Sequence, residues 1–270
     1  MITPTGRPDA AAQRGRRFTR GAVLPAVAAF ISPVACSEDA FRLPDFNARY
    51  IAFGDSSTAG PSQRDYVDFL CERLGVPPEA FANEGRGGES AGEGADRLTS
   101  YLDRRLFPNA HSLLYWEGAA ELIDFLQAND PLLAFSPSAP AYPHAAALAA
   151  RLDETQAAVE RALAAGRDAG LTVYVATYFF MPSGSLNCEP LFLGVLLPGQ
   201  ADNANAYVAL LNERIRAAAA AQGATLVDVA TLDATLRGSA ANYHNCNHLS
   251  AAGNEIVAGL FFDVIPPGPP

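Results

Sequence analysis

The sequence predicts an α/β fold, and three observations lead there. Hydrophobic residues make up 49% of the 270 positions and charged ones 18%. That balance supports a packed core and excludes wholesale disorder. Short apolar runs that stop at Gly or Asn alternate with longer segments whose apolar residues recur at helical spacing. The length suits one α/β domain. No internal repeat and no second domain boundary is visible.

Five apolar runs read as strands: residues 50–53, 80–82, 111–116, 171–178 and 225–229. The fourth is rich in β-branched residues, as a strand buried on both faces should be. Between them lie the helical segments. Residues 64–74 carry Tyr66, Phe69, Leu70 and Leu74 on one face. Residues 91–106 do the same with Leu98, Tyr101, Leu102 and Leu106. Residues 146–169 form a long Ala-rich helix with Leu148, Leu152, Val159 and Leu163. Residues 204–221 and 250–262 complete the set. Residues 127–145 contain Pro131, Pro137, Pro140 and Pro143 and read as an irregular insertion, and 182–202 as a loop. Strands alternating with helices imply a mostly parallel sheet covered on both faces. Ligands in such sheets bind at the carboxyl ends of the strands.

The formal charge is −10, all 19 cations are Arg, and Lys is absent. The Ala-rich, Lys-free composition fits a GC-rich genome. An acidic chain gains nothing from counterion release on a nucleic acid, so DNA and RNA are unlikely partners. No lysine general base or Schiff base exists. Residues 1–35 hold Arg7, Arg14, Arg16, Arg17 and Arg20 against the single acid Asp9, so the remaining residues carry −14. A basic stretch ahead of the apolar run 21–35 is the layout of an export signal. That run is broken by Pro25 and Pro33 and is too short to span a bilayer permanently. It ends in Pro33-Val34-Ala35-Cys36, similar to a bacterial lipoprotein cleavage site with Cys36 as the lipidated residue, and Arg16-Arg17-Phe18 loosely resembles a twin-arginine signal. The expected organisation is an export signal over 1–35, a linker over 36–49, a catalytic-type domain over 50–263 and a Pro-rich tail over 264–270. The chain is then expected in the cell envelope, periplasmic or lipid-anchored, or secreted. Any membrane association rests on the lipid.

Of the other cysteines, Cys71 lies in an amphipathic segment and reads as a buried thiol. Cys188 and Cys246 lie in loop-like, Asn-rich sequence and are candidates for one disulfide in an exported protein.

Two motifs carry chemistry. Phe53-Gly54-Asp55-Ser56-Ser57 follows the first strand directly. A Ser at a strand end, opening a helix, can aim its hydroxyl into the site with backbone N–H groups beside it. The second motif is Asn245-Cys246-Asn247-His248, just before the last helix, with Ser250 as its cap. A His there can act as general base to Ser56 across the carboxyl edge of the sheet. His244 and His248 are four apart around Cys246, but no acidic ligand is close, so neither a metal nor a cofactor is expected. The Gly-rich stretch 85–88 invites a nucleotide-binding reading. The first strand, however, is not followed by Gly-x-Gly-x-x-Gly.

Together these motifs resemble the GDSL/SGNH hydrolase family over residues 50–262. The resemblance rests on four blocks in order: Gly54-Asp55-Ser56, Asn83-Glu84-Gly85-Arg86-Gly87-Gly88-Glu89-Ser90, Gly118-Ala119-Ala120-Glu121, and Asn245-Cys246-Asn247-His248. It implies a three-layer α/β/α fold with a five-stranded, mostly parallel, flavodoxin-like sheet. It implies Ser56 as nucleophile, His248 as base, and the N–H groups of Ser56 and Gly88 as an oxyanion hole, with Asp55 stabilising the turn. Two positions depart from the family. Ala120 stands where an oxyanion-hole Asn is usual, and Asn245 where an acid orients the His. The implied activity is hydrolysis of acyl or acetyl esters of a small molecule, lipid or carbohydrate. The departures also admit a non-catalytic binding protein on the same fold. Trp116 is expected in the core or pocket wall, and Glu89, Glu117 and Glu121 as solvated surface acids. Phe135, Tyr142, Leu191, Phe192 and Leu193 are expected to wall the pocket.

Overall fold

The computed structural model describes residues 42–185, 187–188 and 191–266. The expectations placed on 1–35 and on Cys36 lie outside the described residues. Five strands form one sheet: β1 Tyr50–Gly54, β2 Phe81–Gly85, β3 Ser112–Trp116, β4 Thr172–Ala176 and β5 Thr225–Val227. Every pairing is parallel and the order is β2-β1-β3-β4-β5. This is the flavodoxin-like order, with its switch point between β1 and β3.

The helices are α1 Ser56–Ala59, α2 Tyr66–Leu74, α3 Ala91–Asp103, α4 Ala119–Asn129, α5 Ala145–Asp168, α6 Pro198–Gln222, α7 Asp233–Arg237 and α8 Ala251–Val264. Their starts follow ordinary capping chemistry. Asp65 and Ser90 each close a capping box with Asp68 and Glu93. Ser250 accepts the Gly253 N–H. α2 packs on α8, while α5 lies against both α3 and α6. Gly166 lets α5 approach the sheet: a Cβ there would stand 2.7 Å from Leu113 Cδ2. Trp116 is fully buried, with the Tyr66 ring edge-on to it at 5.4 Å and Phe261 stacked on Tyr66 at 4.8 Å.

Several boundaries differ from the sequence reading, and α4 is added to it. β2 runs through Gly85 because its ladder with β1 continues there. α6 begins at Pro198, inside the expected loop, since proline suits the first helical turn, where its missing N–H is not needed. α4 was not anticipated. Gly118, at φ +129°, starts it straight from the end of β3, and Leu122, Phe125 and Leu126 bury its inner face.

Candidate active site

Ser56 stands at the carboxyl end of β1, at the switch point. The turn that holds it is crowded. A Cβ on Gly54 would meet the Trp116 carbonyl oxygen at 2.1 Å, so only glycine lets β1 and β3 converge there. Gly85 faces the same constraint from Ala59 N at 2.1 Å. Asp55 N–H donates to Trp116 O at 3.1 Å. The Asp55 side chain caps α1 by accepting the Ser57 N–H at 2.8 Å. It also accepts from the Tyr178 hydroxyl. Burial pushes its carboxyl upward from the usual range, and these donors oppose that push. Asp55 is 2% exposed and serves the turn, as the family pattern implies.

His248 Nε2 lies 2.9 Å from Ser56 Oγ, and His248 Nδ1 lies 3.0 Å from Asn245 Oδ1. The Asn245 oxygen also accepts the Asn247 N–H at 3.1 Å. That second donor identifies the atom as oxygen rather than nitrogen, so Nδ1 must carry the imidazole proton. Nε2 is left bare and accepts from the Ser56 hydroxyl. An amide therefore imposes the tautomer that a general base needs. It does so without the negative charge that would stabilise imidazolium. Burial, with a smaller push from His244, lowers the His248 pKa below the ordinary imidazole value.

The His248 loop is itself fastened. His244 N–H donates to His248 O at 2.9 Å, and Tyr243 and Leu249 form a bridge. Cys246 is disulfide-bonded to Cys188, across a sequence separation of 58. Cys246 N–H also donates to Asn187 O at 3.1 Å, and Asn187 Nδ2 returns a bond to His244 O at 3.1 Å. The sulfur between the two histidines is thus committed to a covalent bond. Cys71 is a free, buried thiol whose pKa burial pushes up to about 11.

Gly87 borders Ser56: a Cβ on it would stand 3.9 Å from Ser56 Cβ. Gly88 follows at φ +77°, a conformation that favours glycine. Among the described residues, the N–H groups of Ser56 and Gly88 have no backbone acceptor. Ala120 is buried in the first turn of α4 and offers only a methyl group.

Of the three glutamates expected at the surface, Glu117 and Glu121 are buried and Glu89 turns its side chain inward. Glu117 is 1% exposed and Glu121 8%, and the Glu89 side chain is 9% exposed. Glu121 Oε1 accepts the Ala91 N–H at 2.6 Å, so this acid serves the start of α3. Glu89 receives Arg97 through both Nε, at 2.7 Å, and an Nη. Sequence periodicity cannot reveal such burial, because these acids sit in turns and at helix starts, where no apolar pattern runs.

Beside Ser56 opens a slot of about 40 Å³ lined by Leu122, Leu126, Met181, Val208 and Leu211, with Ala119 and Asn247 also on its wall. The expected wall residues do not line it. Tyr142 packs on Tyr207 at 5.8 Å, Phe135 is 43% exposed and Leu193 is 80% exposed. α4, which the sequence reading missed, forms the wall instead. A larger cavity of about 750 Å³, lined by Arg49, Tyr50, Leu74 and His111, is at the opposite, amino end of the strands. It includes neither Ser56 nor His248.

This geometry agrees with a match to the GDSL-like Lipase/Acylhydrolase family over residues 52–256. The chain belongs to that family. No match was found among curated proteins. Among solved structures, a lipolytic protein of the G-D-S-L family from Veillonella parvula is 17% identical, with a TM-score of 0.54, over 80% of this chain and 97% of that one. The acetyl xylan esterase AlAXEase is 16% identical, with a TM-score of 0.53, over 80% and 99%. The psychrotrophic esterase EstA from Pseudoalteromonas is 15% identical, with a TM-score of 0.50, over 79% and 94%. At these identities the likeness is one of fold.

The Cys188–Cys246 bond should matter for both stability and rate. Replacing both cysteines by Ser is expected to lower unfolding free energy by about 2–4 kcal/mol, read by denaturant melts. It should also reduce kcat more than KM, because it loosens the loop that aims His248.

Proposed function

We propose that this chain is a serine ester hydrolase. The observation that carries the reading is the Ser56–His248–Asn245 chain of hydrogen bonds, with Nε2 left as the acceptor. Ser56 Oγ attacks the ester carbonyl carbon while His248 Nε2 takes its proton. Charge develops on the carbonyl oxygen, where the N–H groups of Ser56 and Gly88 stabilise it. The C–O bond to the alcohol breaks, and His248 returns the proton to the departing alkoxide. Water, deprotonated by His248, then releases the acid from the acyl-enzyme. The apolar slot beside Ser56 suits the acyl group. AlAXEase is an acetyl xylan esterase, and EstA was crystallised with a monoethylphosphonate inhibitor. Both are consistent with acyl-ester chemistry on this fold.

The same reading makes Ala120 and Asn245 the reasons for a modest rate. A fluorophosphonate should label Ser56 in the wild type and should not label Ser56→Ala. Labelling that persists in Ser56→Ala would overturn the assignment. Absence of wild-type labelling would favour the non-catalytic binding protein. Ala120→Asn should raise kcat/KM on short p-nitrophenyl esters by up to about 10²–10³, the effect typical of one oxyanion donor.

The pH profile offers a separate check. His248 acts as a base only when neutral, and its pKa lies below the ordinary 6.5. The acid limb of kcat/KM should therefore fall below pH 6.5. Asn245→Asp places a negative charge beside the ring, so the limb should move to higher pH. The plateau rate should rise by about tenfold or more, yet by less than the ~10⁴ seen where the same exchange also disturbs the tautomer.

The proposal includes export through residues 1–35 and lipid attachment at Cys36. The basic-then-apolar layout supports it, and so does the Cys188–Cys246 disulfide, since such bonds persist in oxidising compartments. In cells producing the full chain, Cys36→Ser should abolish incorporation of labelled palmitate and release the protein from the membrane fraction.

A further inference from the structure

Glu117 stands on the backbone between Gly118 and Trp116, whose carbonyl oxygen accepts the Asp55 N–H. Three features show that the fold is built around its carboxyl. Its Oε2 accepts the Tyr115 hydroxyl at 3.0 Å. Its Oε1 is buried and meets no N–H or hydroxyl donor among the described residues. On α3, Gly94 leaves a notch for it, since a Cβ there would stand 1.7 Å from Oε2.

The Glu89 carboxyl faces the same group, and burial together with it raises the Glu117 pKa. Two buried carboxyls in contact cannot both be ionised, so one proton must sit between them. Glu89 already receives two donors from Arg97, which keep charge on Glu89. The groups that face Glu117 from other elements are Asp55 at the end of β1 and Tyr178 after β4, while Glu121 on α4 faces Tyr115. Tyr115 faces it from its own strand, and α3 presents Gly94, with Arg97 one turn on and committed to Glu89. None of these supplies Glu117 with a cation. Proton and charge are therefore divided: Arg97 fixes the charge on Glu89, and the proton rests on Glu117.

Glu89 is the residue next to Gly88. The turn is short, with Glu89 N–H donating to Arg86 O at 3.2 Å. Holding the Glu89 side chain from two sides fixes the direction of the adjoining peptide groups. We propose that Glu117 is a positioning residue that donates its proton to Glu89 and so holds the turn carrying the Gly88 N–H in line with the developing oxyanion. Burial and the neighbouring carboxylates push the Glu117 pKa up to about 10, so the device is intact at neutral pH and fails in strong alkali. The proposal rests on the reading of Gly88 as an oxyanion donor.

The test has three readouts on the folded, disulfide-bonded protein. Infrared difference spectra of wild type against Glu117→Gln at pH 7 should show a protonated carboxylic acid band that the variant lacks. Its absence would overturn the proposal. The Gly88 amide resonance should keep its position in Glu117→Gln, which retains a donor, and move in Glu117→Leu. In kinetics on short esters, Glu117→Gln should keep a near wild-type rate and lose the alkaline fall near pH 10. Glu117→Leu should lower kcat by roughly ten- to a hundredfold with KM little changed, a partial loss of one oxyanion donor. A purely structural role predicts a loss of stability with no selective loss of kcat, because removing one member of a buried polar pair destabilises the fold. Wild-type kcat in a folded Glu117→Leu would therefore sink the idea. If Glu117→Leu does not fold, the wild-type Gly88 resonance titrated through pH 10 decides the question, since Glu117→Gln should not show that transition. If Ser56 does not label in the wild type, the hydrolase reading fails, and the infrared and Gly88 readouts still judge the proton and the turn.

Discussion

The Asp55 carboxylate is the group on which the geometry around Ser56 depends. It is buried at the point where three strand ends meet. It accepts the Ser57 N–H of its own turn and the Tyr178 hydroxyl beyond β4. Each donor would be orphaned without it, and an orphaned buried donor costs about 1–3 kcal/mol. The close approach permitted by Gly54 brings β3 within reach of this carboxylate. One side chain thereby sets where Ser56 stands and ties the segment after β4 to that turn.

Around that point the protein manages an excess of buried acid with few cations. Glu84 is paired with Arg42 and lies near Arg97, whose guanidinium also covers the Phe53 ring at 3.8 Å. Arg97 grips Glu89 and donates to the Glu84 carbonyl oxygen at 2.9 Å. Glu117 is left to be neutral, because no cation is available and desolvation penalises a bare carboxylate. The His248 partner follows the same economy of charge. Asn245 does by hydrogen-bond direction part of what an acid does by charge, and burial, with a smaller push from His244, keeps the imidazole neutral to a lower pH.

The disulfide adds a covalent constraint of a different kind. It joins the stretch after β4 to the His248 loop, two segments that the sheet itself does not connect. His248 is therefore placed by both its own turn and the loop across from it. Ser56 needs no such tie, since a strand end and a cap already hold it.

Much of this was legible in the residues. The alternation of apolar runs and helical stripes determined a parallel α/β sheet, and the local chemistry of Gly54-Asp55-Ser56 and of Asn245-Cys246-Asn247-His248 marked the two ends of the site. Such signals are local: periodicity, capping and turn chemistry are written within a few residues. The tertiary structure alone decided three other things. It turned Glu89, Glu117 and Glu121 inward, because their burial comes from elements far away in sequence. It made α4 the wall of the slot, where the Pro-rich insertion had been expected. It gave the Asn245 amide its orientation through the Asn247 N–H, and that bond decides which imidazole nitrogen faces Ser56. Composition could count the acids and the Arg residues, but only the fold determines which carboxyl meets a guanidinium and which must hold a proton, since desolvation and pairing depend on what packs against each group.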